Sequence, residues 1–376
     1  MTNGRDHRID FFRGLALIFI FWDHVPDNPL AQLTVRNFGF SDAAEIFVFL
    51  AGYASILAYG RIARRDGMLV AGVRILRRTW VLYVVHIFLL TLLMGIVFVA
   101  NNHVETRDMV QQMGLEYFVG NPQQALADEL LLRFKPNLTD PLPLYIVLLL
   151  TLPLTLPVML RKLEVAVGLS ITLYLMVPLF GWNLRAYEGG GVWYFNPVAW
   201  QLLFVLGGAC ALRSETAITV EQPPLRQQPL FLTAAAYVVI AGMLTFSEKW
   251  PGLHSALVST LHLDALYPIS KTDLAPARLL HFLALVYVVA RLLPTSNTWL
   301  ENWPARQTCR MGRYSLEVFC LGVLLAPLAD MANALAGDTW PMQVTTAIVG
   351  LGLMMLMANG LELNKRLGKS PRLLTT

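Results

Sequence analysis

The chain is expected to fold as an all-α polytopic membrane protein. Of its 376 residues, 56% are hydrophobic and only 14% charged, with a mean hydropathy of +0.53, a balance that excludes a soluble two-domain protein. Apolar runs of the length that crosses a hydrocarbon core recur ten times along the sequence. Ten spans place both termini on one side, and the basic residues say which. Twenty of the 29 Lys and Arg fall in the segments that share a side with the termini and eight in the alternate ones. The positive-inside rule therefore predicts cytoplasmic termini.

The predicted spans are 9–26, 43–60, 76–100, 142–160, 164–182, 196–212, 229–246, 276–294, 312–333 and 341–362. Arg5 and Arg8 precede the first as they would in a signal peptide, but no small-residue cleavage site follows, so this span is expected to be retained. The outer connection 101–141 sets Leu115, Phe118, Ala125, Leu126, Leu130 and Leu131 among polar residues, with Asn121-Pro122 as a breaker, and predicts short amphipathic helices on the outer surface. A second outer connection, 247–275, ends with Thr272 or Asp273 as a helix cap and Pro276 in the first turn of the eighth span. Arg278 and His281 follow on one face of that helix. Between these connections, the Gly-rich stretch from Glu188 to Pro197 carries Trp193 and Tyr194, aromatic rings suited either to an interfacial belt or to carbohydrate stacking. The whole of 1–376 reads as one integral-membrane domain, without internal repeat or low-complexity sequence.

Other classes find little support. The basic residues are spread among short loops rather than gathered on one soluble face, so nucleic acid is not an expected partner. Cys210, Cys309 and Cys320 lack metal-ligand spacing and lie within or beside apolar runs, so they read as packing residues and no metal is expected.

Chemistry concentrates in the first span, where Asp10, Arg13, Asp23 and His24 stand at membrane depth. A charge there costs about 2.5–3.5 kcal/mol on insertion scales, and such residues mark a pathway or a reaction centre. Arg13 and His24, eleven residues apart, project within about 20° of each other and roughly 16 Å apart along a helix. They are either a functional pair or bridges to neighbouring helices, and Arg13 could equally pair with Asp10 one turn earlier. On the inner side, Arg61, Arg64, Arg65, Arg74, Arg77 and Arg78 form a dense basic group. Arg74 with Arg77 or Arg78 can present guanidinium forks to a phosphate; plain positive-inside charge against anionic lipid is the alternative.

These residues have a family likeness. The run from Arg8 to His24, with its Arg13-x10-His24 pair, resembles the opening helix of the membrane acyltransferase-three superfamily, Ser41 to Tyr53 resembles its second helix, and Arg74-x-x-Arg77-Arg78 its third-helix start. More closely, the chain is similar to the OpgC family, through Asp23-His-Val-Pro, Phe40-Ser-Asp-Ala-Ala-Glu45, Pro141-Leu-Pro-Leu-Tyr145, Asn196-Pro-Val-Ala-Trp-Gln201 and Lys271 to His281. The resemblance implies about ten helices around a central pore in a bacterial inner membrane. It implies an O-acyltransferase that takes an acyl group from cytosolic acyl-CoA, as succinyl-CoA or acetyl-CoA, to a periplasmic glucan or other polysaccharide.

On that reading His24 is the general base or a transient acyl carrier. Asp23, Glu45 or Asp42 would orient it. Arg13, Arg74, Arg77 and Arg78 would bind the donor. Lys271, Asp273, Arg278 and His281 would hold a dicarboxylic acyl group or an anionic acceptor, or else anchor the eighth span, and Asn196, Gln201 or Tyr53 would supply an oxyanion donor. The competing class is a transporter or flippase, which also buries Asp, Arg and His; it predicts substrate flux without covalent change, whereas a sensor predicts neither. The span faces all read as apolar and leave oligomeric state open.

Overall fold

The computed structural model describes residues 6–216, 228–293 and 297–368. Arg5, Arg226, Lys369 and Arg372, which entered the charge count, lie outside the described residues. The described chain runs through α1 (His7–His24), α2 (Ala43–Asp66), α3 (Met68–Asn101), α4 (Met109–Gln112), α5 (Glu116–Gly120), α6 (Pro122–Leu130), α7 (Pro141–Arg161), α8 (Leu163–Phe180), α9 (Pro197–Thr216), α10 (Pro229–Ser247), α11 (Pro251–Thr260), α12 (Pro276–Leu292), α13 (Trp303–Arg313), α14 (Ser315–Leu335) and α15 (Trp340–Leu367). Eight of these, α2, α3, α7, α8, α9, α10, α14 and α15, are long and apolar enough to cross a membrane. The two remaining expected spans are helices as well. α1 carries Asp10, Arg13 and Asp23 within its 18 residues, and α12 has only 17.

The chain divides into two compact units. The first comprises residues 1–34, 95–109 and 294–376. In it α1 lies along α13, backbone against backbone: a Cβ on Gly14 would collide with the Thr308 carbonyl, and one on Gly312 with the Asp10 carbonyl. α13 departs from expectation, since hydropathy predicts a plain basic connection here and a ninth span starting at 312. Instead Asn302 caps a separate amphipathic helix by accepting from Ala305 N at 2.9 Å, and that helix buries Ala305, Thr308, Cys309, Met311 and Gly312. It ends at Tyr314, and α14 starts anew at Ser315.

The second unit comprises residues 35–94 and 110–293. Here α2 and α9 make a similar close crossing, with Gly52 under the Phe204 carbonyl and Gly207 under the Phe49 carbonyl. α8 and α10 keep mostly apolar exposed surface, as a lipid-facing helix must; Leu179 and Met243 are examples. The 101–141 connection forms short helices, α5 and α6 with the break at Asn121-Pro122, as expected, and Leu115 and Ala125 are buried. The rest of α6 is turned over. It buries Asp128 and Glu129 and exposes Leu126 and Leu130, because Tyr117 Oη donates to Asp128 at 2.8 Å and draws the acidic face inward. Burial pushes the Glu129 carboxyl up to about 7. Cys210 is exposed rather than packed.

Candidate functional site

In the first unit, α1 ends at His24, an exposed imidazole whose Nδ1 is hydrogen-bonded to the Ile20 carbonyl one turn back. A carbonyl only accepts, so Nδ1 carries the proton and Nε2 holds the lone pair. Asp23 accepts from Thr34 Oγ1 at 2.7 Å, tying the 29–34 turn to the end of α1. Three turns earlier, Arg13 Nη2 donates to Ser315 Oγ at the start of α14. Asp10 is buried and faces Arg313 Nε at 3.8 Å, so the expected Asp10 and Arg13 positions each meet a residue of the 313–315 corner.

In the second unit the N-terminal end of α2 carries a four-membered charge group. Asp42 caps the helix, accepting from Ala44 N at 2.8 Å, while Glu45 Oε2 accepts from Asp42 N at 2.8 Å, a reciprocal capping box. The other carboxylate oxygens face cations: Arg278 Nη2 lies 2.6 Å from Glu45 Oε1 and 3.1 Å from Asp42 Oδ2, and Lys271 Nζ is 2.6 Å from Asp42 Oδ2. Glu45 is fully buried. Burial alone would raise the Asp42 carboxyl, but Lys271 and Arg278 hold it well below the usual carboxylate range. Burial likewise opposes the Lys271 charge, and Asp42 more than offsets it, leaving that ammonium above its ordinary value.

Arg278 and His281 do share one face of α12, and both meet the segment that leads into α2. Ser41 Oγ is 2.8 Å from His281 Nδ1. Gly39, at φ +152°, presses its backbone on the other ring edge, where any Cβ would strike Nε2. The two cations of this site are thus neutralised and fixed by two carboxylates. Arg278 is tightly enclosed, whereas Lys271 remains 26% exposed and has ammonium hydrogens beyond the one directed at Asp42.

Asn196 and Gln201, read as oxyanion donors, have spent their amide protons. Asn196 Nδ2 donates to Trp182 O at 2.7 Å and Asp273 Oδ1 at 2.8 Å, and its Oδ1 accepts from Val198 N at the start of α9. Gln201 Nε2 donates to Ser170 O at 2.8 Å and Val198 O at 3.3 Å. Tyr53 Oη pairs with Ser214 Oγ at 3.0 Å. Asp273 therefore clamps Asn196 rather than capping α12, whose cap is Ala275. Of the three aromatic residues in the Gly-rich connection, Trp193 is buried beneath Lys135 Nζ, 3.7 Å from its ring centre, Phe195 is buried as well, and only Tyr194 is exposed. Desolvation brings the Lys135 ammonium down to about 8 and raises the Asp140 carboxyl opposite it to about 6.

The family model described as OpgC protein matches residues 5–366. The chain belongs to the OpgC family. No curated protein and no solved structure matches it. OpgC membership implies glucan succinylation, hence an acyltransferase with a succinyl donor, and with eight candidate spans it describes a multi-pass membrane protein.

On this OpgC chain the arginines at the junction of α2 and α3 divide. Arg61 and Arg64 pair with Glu215, and Arg65 and Arg74 with Asp66. Arg77 and Arg78 have no ion pair among the described residues. Sequence reasoning overlooked Ser41 and Ser315, the hydroxyls that seat His281 and Arg13. Ser41 stands beside Asp42, which was singled out, and Ser315 opens α14; a serine next to a helix start reads first as a cap.

Proposed function

We propose that this OpgC-family chain is a ten-span enzyme of the bacterial inner membrane with both termini cytoplasmic, moving a succinyl group through a central pore from cytosolic succinyl-CoA to a periplasmic glucan hydroxyl. The observation that carries the mechanism is the Nδ1 bond of His24 to the Ile20 carbonyl. It sets the tautomer whose Nε2 can accept a proton. His24 Nε2 takes the proton of the acceptor hydroxyl as that oxygen attacks the thioester carbonyl; the carbon–sulfur bond breaks, and the imidazolium returns the proton to the departing thiolate. The products are a succinate ester and CoA.

Asp23 acts as a positioning residue, through Thr34. Arg13, on the same face of α1 and seated on Ser315, holds the donor, and Arg77 and Arg78 are the candidates on α3 for contact with it. Lys271, with Asp42, Glu45 and Arg278 behind it, meets the acceptor or the free carboxylate of the succinyl group. Asn196, Gln201 and Asp273 serve this site by fixing the 271–274 loop against α9, and Ser41 with His281 fixes the approach to α2. Purified protein in lipid, given labelled succinyl-CoA or acetyl-CoA and periplasmic glucan, is expected to form a glucan ester, with succinyl preferred, and the His24→Ala protein is expected to form it about 10²–10⁴-fold more slowly. Unimpaired transfer by a folded His24→Ala protein would remove the histidine from the chemistry.

A further inference from the structure

The first unit contains a second basic centre. At the start of α1, where His7 begins the helix, a cavity of about 490 Å³ opens beside α13 and is lined by Arg306, Arg310, Arg313 and Arg366. That volume lies within the range of small-molecule sites, roughly 300–1,000 Å³. Arg306, Arg310 and Arg313 stand at helical spacing of four and three, so one stripe of α13 presents them together, while the opposite stripe is locked against α1 by the Gly14 and Gly312 contacts. Its apolar lining is Leu300 and Cys309, which belong to a core cluster with Ala305, Phe11 and Trp299.

The partners of these arginines decide what the cavity can take. Arg313 and Arg366 share Glu362, at 3.2 and 3.4 Å. Arg310 is held differently. Its Nη1 donates to Asn359 Oδ1, and Asn359 is itself fixed by bonds to Gln307 Oε1 at 2.7 Å and Met355 O at 2.8 Å. A neutral amide orients this guanidinium without cancelling its charge. Arg306 is exposed and, among the described residues, neither it nor Arg310 has an ion pair. Against four guanidinium groups stand Glu362, Asp10 at 3.8 Å from Arg313, and Glu301 in the lining, so the cavity keeps a positive balance. A planar fork held in place at Arg310, with the charge of Arg306 one turn away beside an apolar lining, is suited to phosphate oxygens.

We infer that this cavity binds the phosphates of a phosphorylated ligand through Arg306 and Arg310. The ligand is the CoA moiety of the donor; that identity rests on the acyl-CoA reading and topology proposed above, whereas the phosphate chemistry does not. The site lies at the first turn of the helix that carries Arg13 and His24.

The test uses the full-length protein in phosphatidylcholine vesicles and measures the affinity of CoA and of ADP for wild type, Arg306→Ala, Arg306→Lys, Arg310→Ala and the Arg77→Ala/Arg78→Ala double variant. Arg306→Ala and Arg310→Ala are expected each to weaken CoA about tenfold, the loss of a charged hydrogen-bond partner, with Arg306→Lys recovering part of it. Arg306 is on the surface, so its variants report even if Arg310→Ala does not fold. Unchanged CoA affinity in Arg306→Ala together with loss in the α3 double variant would overturn the inference. A parallel arm adds phosphatidylglycerol and reads retained lipid by native mass spectrometry. Retention that depends on Arg306, without any CoA or ADP binding, would keep the phosphate site and assign it to a lipid headgroup. Binding of CoA here by a protein that acylates no glucan would overturn the proposed function and leave the site standing.

Discussion

Arg278→Ala is the sharpest test of the charge group at the N-terminal end of α2. Its guanidinium lies 2.6 Å from the Glu45 carboxylate, which is fully buried, and 3.1 Å from Asp42. At about 3 Å and an effective dielectric near 20, one such contact is worth roughly 5–6 kcal/mol of Coulomb attraction, much of which desolvation offsets while both partners are present. Removing the cation leaves the desolvated carboxylate behind, and the expected loss is about 3–5 kcal/mol. Lys271→Ala should behave differently, because its ammonium sits at the open edge and Arg278 still serves Asp42; about 1 kcal/mol is expected. Equilibrium unfolding in mixed micelles would read both. The pairing of Arg278→Met with Glu45→Gln should recover most of the loss, since the side-chain amide oxygen introduced at position 45 can still accept from Asp42 N. Equal destabilisation by Arg278→Ala and Lys271→Ala, or a double variant no better than Arg278→Ala alone, would refute the reasoning. In the transfer assay, folded Lys271→Ala should raise KM for the acceptor more than it lowers kcat.

His24→Ala should lower succinyl transfer by about 10²–10⁴-fold, the usual contribution of a positioned base, while CoA binding is retained; rapid quenching of wild type with labelled donor and no acceptor distinguishes direct transfer, which leaves the protein unlabelled, from an acyl-histidine intermediate. Gly14→Leu should unfold the first unit or cost at least about 1–3 kcal/mol, because its side chain must enter space held by the Thr308 carbonyl, and amide exchange across α13 would show it. Glu129, with its carboxyl raised to about 7 by burial, binds more protons folded than unfolded, so its contribution to stability falls as pH rises from about 4.5 through 7. Exchange protection of α6, corrected for intrinsic rates, should decline over that window in wild type and stay level in Glu129→Gln. Asp42 has the opposite sign. Its carboxyl is held low, so the bridge to Lys271 persists at neutral pH and weakens only as acid takes the medium below the ordinary carboxylate range.

Much of the architecture was legible in the linear order of residues. Hydropathy located α2, α3, α7 to α10, α14 and α15 because a membrane helix must satisfy its backbone internally and its apolar length is written in consecutive residues. Helical spacing alone put Arg13 and His24 on one face, and Arg278 with His281 on another. What periodicity lacks is the identity of the opposing group. Arg278 meets Asp42 across 236 residues of chain, and nothing local distinguishes a cation waiting for a substrate from one closed by two carboxylates. For the same reason Asn196 and Gln201 read as donors, although bonds to Trp182, Asp273, Ser170 and Val198 use their amide protons.

α13 was the least legible element, being too short and too charged to register as a span. Its arginines become a site only once Gly14 and Gly312 let it lie backbone to backbone on α1, and once Asn359 of α15 turns Arg310 outward without neutralising it. The sequence by itself determined the helices, their apolar lengths and the faces that carry chemistry, because these follow from residues a few positions apart. Only the tertiary structure decided which charges are satisfied and which remain available, because that depends on partners brought together from distant parts of the chain.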